Sequence, residues 1–350
     1  MSTVFTGLSG GVDSAVSAAL LKNQGYNVVG AFIKIWQPEF IECTWREDRL
    51  DAMRVAATLG IPFQEIDLSE SYKQNVVEDM IKGYAKGITP NPDVLCNRHI
   101  KFGDFAAWAY KEGADKIATG HYARISEHKG RHSLLRGADS KKDQSYFLYS
   151  VEESTLARTL FPVGGMTKSE VRALARRSEL PVAERPDSQG LCFVGDVTIP
   201  DFLSRFLPIA SGPIIDMKGN VVGTHDGAAL YTIGQRHGLS VRTTDSHGPI
   251  YYVVDIDTSS NTLRVSDDRA PAEKKTVELQ DVHWIGEVPH TSFEAEVEAR
   301  YREVPFRAQI EITKKHVRVD FAEPHIVARG QSLVIYIGER VLGGGIMSRF

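Results

Sequence analysis

Cysteine is scarce in this chain: three in 350 residues, at positions 43, 96 and 192. So few cannot build the disulfide framework that staples small secreted domains. No two of them form a CxxC unit, and no histidine pair stands near at zinc spacing, so no resident metal is expected. Long apolar runs are also missing. Nothing approaches the ~20 consecutive apolar residues that span a bilayer. The N-terminus "MSTVFTGLSGG" has no basic segment leading into an apolar run, which argues against a signal peptide. An excess of positive charge is absent as well. Forty-one Lys and Arg face 45 Asp and Glu, a net charge of −4, so any nucleic-acid contact must rest on local basic patches. There is no internal repeat and no low-complexity tract. These absences leave an ordinary globular protein, expected in a reducing, cytoplasmic setting, and long enough for two or three domains.

What is present begins with a rhythm. Over roughly the first 125 residues strand-like and helix-like runs alternate. "STVFT", "YNVVGAFIKI", "IPFQEIDL" and "DKIATGHYARI" read as strands. "VDSAVSAALLKNQG", "REDRLDAMRVAATLG", "SYKQNVVEDMIKGYAKG" and "KFGDFAAWAYKEG" read as helices. Such alternation implies a doubly wound parallel sheet with helices on both faces, whose ligands bind at the carboxyl ends of the strands. A later helix, "TKSEVRALARRSEL", opens on a capping box, Thr167 with Glu170. Its Lys168, Arg172 and Arg176 share one face, either a phosphate-binding stripe or an ordinary solvated one. After about residue 205 the pattern turns to short β runs rich in glycine, with a hairpin at "PIYYVVDIDTSSNTLRVSD". From about 276 it is strand after strand. "FEAEVEARY" alternates Ala295, Val297, Ala299 and Tyr301 against Glu294, Glu296, Glu298 and Arg300, and "HVRVDF" does the same. The expected organisation is an α/β domain over 1–205, a β-rich central domain over 206–275 and a C-terminal β-barrel over 276–350.

Two short stretches carry chemistry. "GLSGGVDS", Gly7 to Ser14, joins the first strand to the first helix. Gly10 and Gly11 let backbone approach a ligand and adopt positive φ. The helix then offers unpaired N–H groups and its positive dipole end to an anion, and Ser9 and Ser14 add hydroxyl donors. This is neither a GxxxxGK[ST] nor a GxGxxG loop. The second stretch, "TPNPDVLCN", Thr89 to Asn97, brackets Asn91 with Pro90 and Pro92 and ends near Cys96. Two prolines so placed predict a stiff loop rather than a helix. Read alone, Cys96 is a small buried hydrophobe or a reactive thiol. Asp93 either tunes that thiol, touches a ligand, or simply forms an Asx turn.

SGGxDS directly after an N-terminal strand resembles the pyrophosphatase loop of the ATP pyrophosphatase superfamily. Together with "NPDVLCN", "TGHYAR", "KDQSYFL", "DSQGLCFVG", "LYTIGQRHGL" and "EARYRE", it resembles, almost end to end, the bacterial tRNA-uridine 2-sulfurtransferases, the tRNA-specific 2-thiouridylases. That resemblance implies ATP-dependent insertion of sulfur at C2 of a wobble uridine, by adenylation of the C2 oxygen with magnesium accompanying the ATP. It implies ATP along Gly7, Leu8, Ser9, Gly10, Gly11, Val12, Asp13 and Ser14, at Ile33, where the family often has Met, and at Gly120. It implies a persulfide on Cys192, delivered by a separate sulfur donor. Cys96 would be the second thiol, closing a Cys96–Cys192 disulfide, with Asp93 beside it. It implies tRNA contacts at Asn91, Pro92, Asp93, His121, Lys142, Asp143, Gln144, Arg300, Tyr301 and Gln331, and a free protein that is monomeric. His121 has a plainer reading as a structural histidine, and Cys43 matches no motif.

Two other function classes compete. A small-molecule ligase of the same superfamily would use the loop but has no need of the Cys96 and Cys192 pair. A non-enzymatic RNA-binding protein would have no need of an intact Gly10, Gly11, Asp13 and Ser14.

Overall fold

The computed structural model describes residues 1–41, 45–187, 197–241, 249–288, 290–313 and 316–349. Cys43 and Cys192, with the whole of "SQGLCFVG", lie outside the described residues. No helix among the described residues is long and apolar enough to cross a membrane.

The N-terminal module is built on a parallel sheet. Its strands are β1 (Thr3–Gly7), β2 (Asn27–Lys34), β3 (Phe63–Asp67), β4 (Lys116–Ala118) and, after a hairpin formed by β5 (Ala123–His128) and β6 (Arg131–Arg136), β7 (Thr159–Leu160). They lie in the order β3-β2-β1-β4-β7, every pair parallel. Alternation sends Phe5, Val29, Ala31 and Ile117 to one face, against Phe102, Phe105 and Ala109. Val4, Val28, Phe32 and Ala118 go to the other, against the helices α1 (Val12–Asn23) and α2 (Trp45–Leu59) and against Val171 and Ala175 of Lys168–Arg177. Strand order reverses between β1 and β4, so their carboxyl ends open a crevice suited to a ligand.

A second sheet follows, from β8 (Gly212–Ile215), β9 (Val221–His225), β10 (Ser240–Val241), β11 (Tyr252–Asp257) and β12 (Thr262–Ser266), around Ile214, Val253, Leu263 and Val265. The C-terminal strands are β13 (Glu273–Trp284), β14 (Ser292–Glu298), β15 (Phe306–Ile312), β16 (Val317–Ile326), β17 (Ser332–Ile337) and β18 (Arg340–Arg349). They run in the order β13-β16-β15-β14-β17-β18, and β13 pairs with β18, which closes a six-stranded barrel. Its core is the apolar face of the alternating strands: Val277, Val297, Ile310, Val319, Leu333 and Ile335.

Two local expectations are corrected, and one buried charge is added. "TPNPDVLCN" is not loop throughout: a helix starts at Pro92 and continues, wound as a π-helix over Cys96–Asp104, to Lys111. Pro92 stands where a helix has no use for its N–H, and Asn91 caps it by accepting from Val94 N at 3.4 Å. "DKIATGHYARI" is two strands in different sheets, because the chain turns at Thr119–Tyr122 and β6 adds the β5–β6 hairpin to the barrel at β18. Glu298, on the polar face of β14, is only 5 % exposed. The hairpin covers it and supplies Arg136, 2.6 Å away.

Candidate active site

The crevice is lined by the glycine loop. Gly10 takes φ +75°, and a Cβ there would sit 2.5 Å from Asp48 O. Ser14 Oγ donates to Gly11 O at 3.0 Å and accepts from Ser9 N at 3.2 Å, which folds the loop over the start of α1. Gly11, at the N-cap, has no side chain with which to cap α1, which leaves first-turn N–H groups with capacity for an anion. Gly120, beyond β4, packs on this turn so closely that a Cβ would lie 2.7 Å from Ser14 N. Ile33 reaches Gly7 from β2. Leu8 is buried behind the loop, and its N–H donates to Ala31 O at 2.8 Å. Val12 is buried in the core beneath it.

Charge is arranged around the loop in a defined order. Asp13, in the first turn of α1, accepts from Lys168 Nζ at 2.7 and 2.9 Å and from Tyr122 Oη at 2.8 Å. Burial and the Asp13 carboxylate push the Tyr122 phenol far up, so it serves as a donor. Asp187 accepts from Lys142 at 2.7 Å, pairs with Lys168 at 2.9 Å and with Arg172 at 2.6 Å. Burial alone would raise the Asp187 carboxyl; hydrogen bonds from Lys142 and Lys168 outweigh it and hold the group well below the usual carboxylate range. From behind, Arg185 donates to Gly10 O at 3.1 Å and to Asp51 at 2.8 Å, and it also pairs with Asp48.

Cys96 lies on the helix that Asn91 caps. It is 7 % exposed, among Ile41, Tyr72, Met80, Ile100 and Phe202, with Ile33 packed on the same cluster. Ile33 therefore touches both the glycine loop and the cysteine's surroundings. Pro92 is buried. Burial raises the Asp93 carboxyl, with the Lys101 charge opposing. Lys101 also faces His121, whose imidazole is held well below its ordinary pKa by burial first and by that charge second. His121 Nδ1 is 2.7 Å from Thr119 Oγ1, and its ring packs against Phe102 and Phe161. The Lys101 charge thus acts on both Asp93 and His121, and Gly120, next to His121, packs on the first turn of α1.

The segment Lys142–Gln144 hangs between the modules. Asp143 is turned inward, accepting from Gly137 N at 2.8 Å and Ser145 N at 3.0 Å and pairing with Arg136 at 3.2 Å. Gln144 Oε1 accepts from Tyr122 N at 3.0 Å. Arg300 donates to Ile233 O at 2.8 Å, and Gln331 Nε2 to Thr89 O at 3.1 Å, so these two barrel residues touch the other modules. Tyr301 packs on Phe147 with ring centroids 4.3 Å apart. Arg302 lies 5.0 Å from the centre of the Tyr301 ring, and both Arg302 and Arg307 are exposed. Arg136 and Tyr336 carried no signal in the sequence, and Tyr122 stood in "TGHYAR" with no role of its own. Their partners are remote, as Arg136 and Glu298 lie 162 residues apart.

Family models match the chain in three consecutive pieces. They are a tRNA methyl transferase HUP domain over residues 2–196, a tRNA methyl transferase PRC-barrel domain over 200–267 and an aminomethyltransferase beta-barrel domain over 274–347. The tRNA-specific 2-thiouridylase MnmA of Proteus mirabilis is 43 % identical over 355 aligned positions, 98 % of this chain and 96 % of that protein. Its counterpart in Yersinia pestis is 43 % identical over 99 % of this chain and 96 % of its own length. Among solved structures, the U34-tRNA thiolase NcsA of Methanococcus maripaludis is 19 % identical, with a TM-score of 0.36 over 55 % of this chain and 61 % of that one. The descriptions of the first two family models speak of methyl transfer, whereas the curated relatives that share the full length are named for thiolation. With that identity over nearly its whole length, the chain belongs to the tRNA-specific 2-thiouridylase family and is a tRNA sulfurtransferase.

Proposed function

We propose that the chain makes 2-thiouridine at the wobble position of tRNA in two stages. In the first, the uracil C2 oxygen attacks the α-phosphorus of ATP. A P–O bond forms there, the bond to the β-phosphate breaks, and pyrophosphate leaves with the electron pair. In the second, sulfur attacks C2, the C2–O bond breaks and AMP leaves. The adenylation is needed because oxide is a hopeless leaving group and AMP a good one. Magnesium would arrive with the ATP and supply charge neutralisation, with Asp13 as the carboxylate beside the phosphates.

The residues divide the work. Gly7 to Ser14 and the first turn of α1 hold phosphate oxygens, with Gly120 keeping the approach open and Ile33 against the adenine side. Asn91, Pro92 and Asp93 meet the displaced uridine. The buried His121 stays neutral, and the Lys101 charge acts on both it and Asp93. Lys142, Gln144, Arg300, Tyr301 and Gln331 lie along the tRNA path, with Asp143 holding its neighbours in place. Phosphate pairing by Arg and Lys and base stacking by Tyr are what a splayed anticodon requires. Cys192 carries the persulfide received from a sulfur-donor protein. Cys96 attacks the inner sulfur of that persulfide, ending as a Cys96–Cys192 disulfide. The outer sulfur is released either as hydrosulfide or already bonded to C2. A reductant then returns both thiols.

The observation that carries this reading is that Ile33 touches both the glycine loop and the cluster around Cys96, which brings the thiol's surroundings to that loop. A ligase for a small molecule gains nothing from a thiol so placed. The test is incubation with tRNA, ATP, magnesium and a persulfide donor, followed by nucleoside analysis. Appearance of 2-thiouridine with equimolar AMP supports the reading; ATP turnover that needs an amino acid or ammonia and leaves tRNA unmodified overturns it.

A further inference from the structure

Gly10 and Gly11 give the loop its freedom to approach a ligand, and the same freedom leaves their shared peptide able to flip. Its two orientations are chemically opposite. The peptide is planar and trans, so the Gly10 carbonyl and the Gly11 N–H point in opposite directions. One orientation offers an anion a donor; the flipped one offers it an oxygen. The structure holds a lock on this choice. Arg185 Nη1 donates to Gly10 O at 3.1 Å and to Asp51 at 2.8 Å, while its Nη2 pairs with Asp48. Asp48 and Asp51 stand three residues apart on α2, and Asp48 packs so closely behind Gly10 that a Cβ there would meet its carbonyl. Arg185 is itself held at both ends of its backbone unit. Its N–H donates to Val182 O at 3.0 Å, and its carbonyl accepts from Arg172 at 2.6 Å. The Gly10 carbonyl is thereby turned back toward α2. The Gly11 N–H faces the other way and rests on the hydroxyl of the exposed Ser9 at a long 3.4 Å.

We propose that Arg185 is a positioning residue for the adenylation step, which locks the Gly10–Gly11 peptide with its N–H toward the pyrophosphate portion of ATP. The inference rests on the adenylation reading above. In this role Arg185 touches no phosphate and transfers no proton. It acts through the peptide, in two ways. The lock keeps a donor, and not an oxygen, where charge grows on the leaving pyrophosphate, so nothing need reorganise when that charge appears. A cation on the carbonyl also polarises the peptide, which strengthens its N–H as a donor. Arginine suits the task because its planar fork serves Gly10 O, Asp48 and Asp51 at once. It also offsets one of the two carboxylate charges that α2 places behind the anion site.

The experiment uses the full chain, as wild type, Arg185→Met and Arg185→Lys. Inorganic pyrophosphate binding is measured by calorimetry and adenosine binding by ligand-observed NMR. The tRNA-dependent release of AMP from ATP is measured separately. Arg185→Met is expected to weaken pyrophosphate binding about tenfold and slow AMP release about thirtyfold, with adenosine affinity unchanged. Arg185→Lys keeps a cation with three donors and is expected to recover most of the loss. A merely structural role would weaken adenosine and pyrophosphate alike. That result overturns the proposal, as do wild-type binding and rates in Arg185→Met. Should that variant fail to fold, the wild-type protein decides. In chain carrying isotope-labelled glycine, pyrophosphate must shift the Gly11 amide resonance, and an unmoved resonance overturns the proposal. If wild type itself releases no AMP with tRNA, the adenylation reading fails, while pyrophosphate binding and the Gly11 resonance still judge the lock.

Discussion

The side-chain amide of Gln331 donates to the backbone carbonyl of Thr89 at 3.1 Å, tying the barrel to the loop that leads into the helix of Cys96. The tie is doubled by Thr89 N donating to Arg329 O at 2.9 Å, and Thr89 Oγ1 meets Thr232 Oγ1 of the central module at 3.0 Å. Gly330 makes the approach feasible. It has φ +87°, and a Cβ there would come within 2.1 Å of Ile88 Cγ2. Gly330→Val should therefore pry the barrel from Thr89 as well as strain the backbone. Stability should fall by roughly 2 kcal/mol or more, and thiolation more than AMP release. Gln331→Ala removes one bond only and should cost about 1 kcal/mol. Urea unfolding and the ratio of 2-thiouridine to AMP report both effects.

On the proposed mechanism, in which the thiol acts after adenylation, Cys96→Ser should abolish 2-thiouridine while leaving AMP release and tRNA binding near wild type. Cys192→Ser should behave alike. Thiolation retained in either variant would remove the two-thiol chemistry. Gel-shift and nucleoside assays suffice.

Asp13→Ala should stop AMP release. It removes the carboxylate that holds Lys168 and Tyr122 at the loop, and a loss of at least about a hundredfold is expected. Unchanged ATP turnover would mean that the phosphates lie elsewhere.

Glu298→Ala leaves Arg136 with only Asp143 for charge, stacked 3.6 Å over the Tyr336 ring in a largely buried setting. About 2–3 kcal/mol of stability should be lost. Replacing both partners, Arg136→Met with Glu298→Met, should cost less than Glu298→Ala alone. A double-mutant cycle by chemical denaturation measures this.

Asp187 predicts a pH dependence. Its folded pKa is depressed, so the unfolded chain takes up a proton at its ordinary value of about 3.9 while the folded chain does not. Its stabilisation is fully present above that pH and is lost as pH falls further, through the folded value. The stability difference between wild type and Asp187→Asn should be flat from pH 7 to about 5 and shrink below about 4, as followed by denaturation at each pH.

Much of this was legible in the sequence, and the failures have physical causes. Period-2 and helical patterns placed the parallel sheet and the barrel, because burial on one face dictates them. The glycine loop was legible because its geometry is local to eight residues, Gly7–Ser14. The helix at Pro92 was misread because proline's veto holds inside a helix and reverses at its first position, where Asn91 caps it. The burial of Glu298 was not legible, because alternation records two faces without saying whether a second module covers the outer one. Lys168 stood on a legible helix face, yet Asp13 is 155 residues away. Such a pairing depends on how α1 and the later helix pack, which spacing along either one does not encode.

The hairpin that joins the barrel sheet imposes an order on biogenesis. Arg340 and Val341 pair with Leu135 and Leu134, and Arg124 is separated by 215 residues from Glu339, its partner. A ribosome adding roughly 5–20 residues per second delivers the missing strand some 10–40 s after the hairpin. Throughout that interval the nascent N-terminal module carries an open strand edge, with the Arg136 guanidinium awaiting Glu298. The N-terminal module of this enzyme is therefore finished last by its tail, and a chaperone guarding that edge during translation would act on the nascent chain well before any tRNA could.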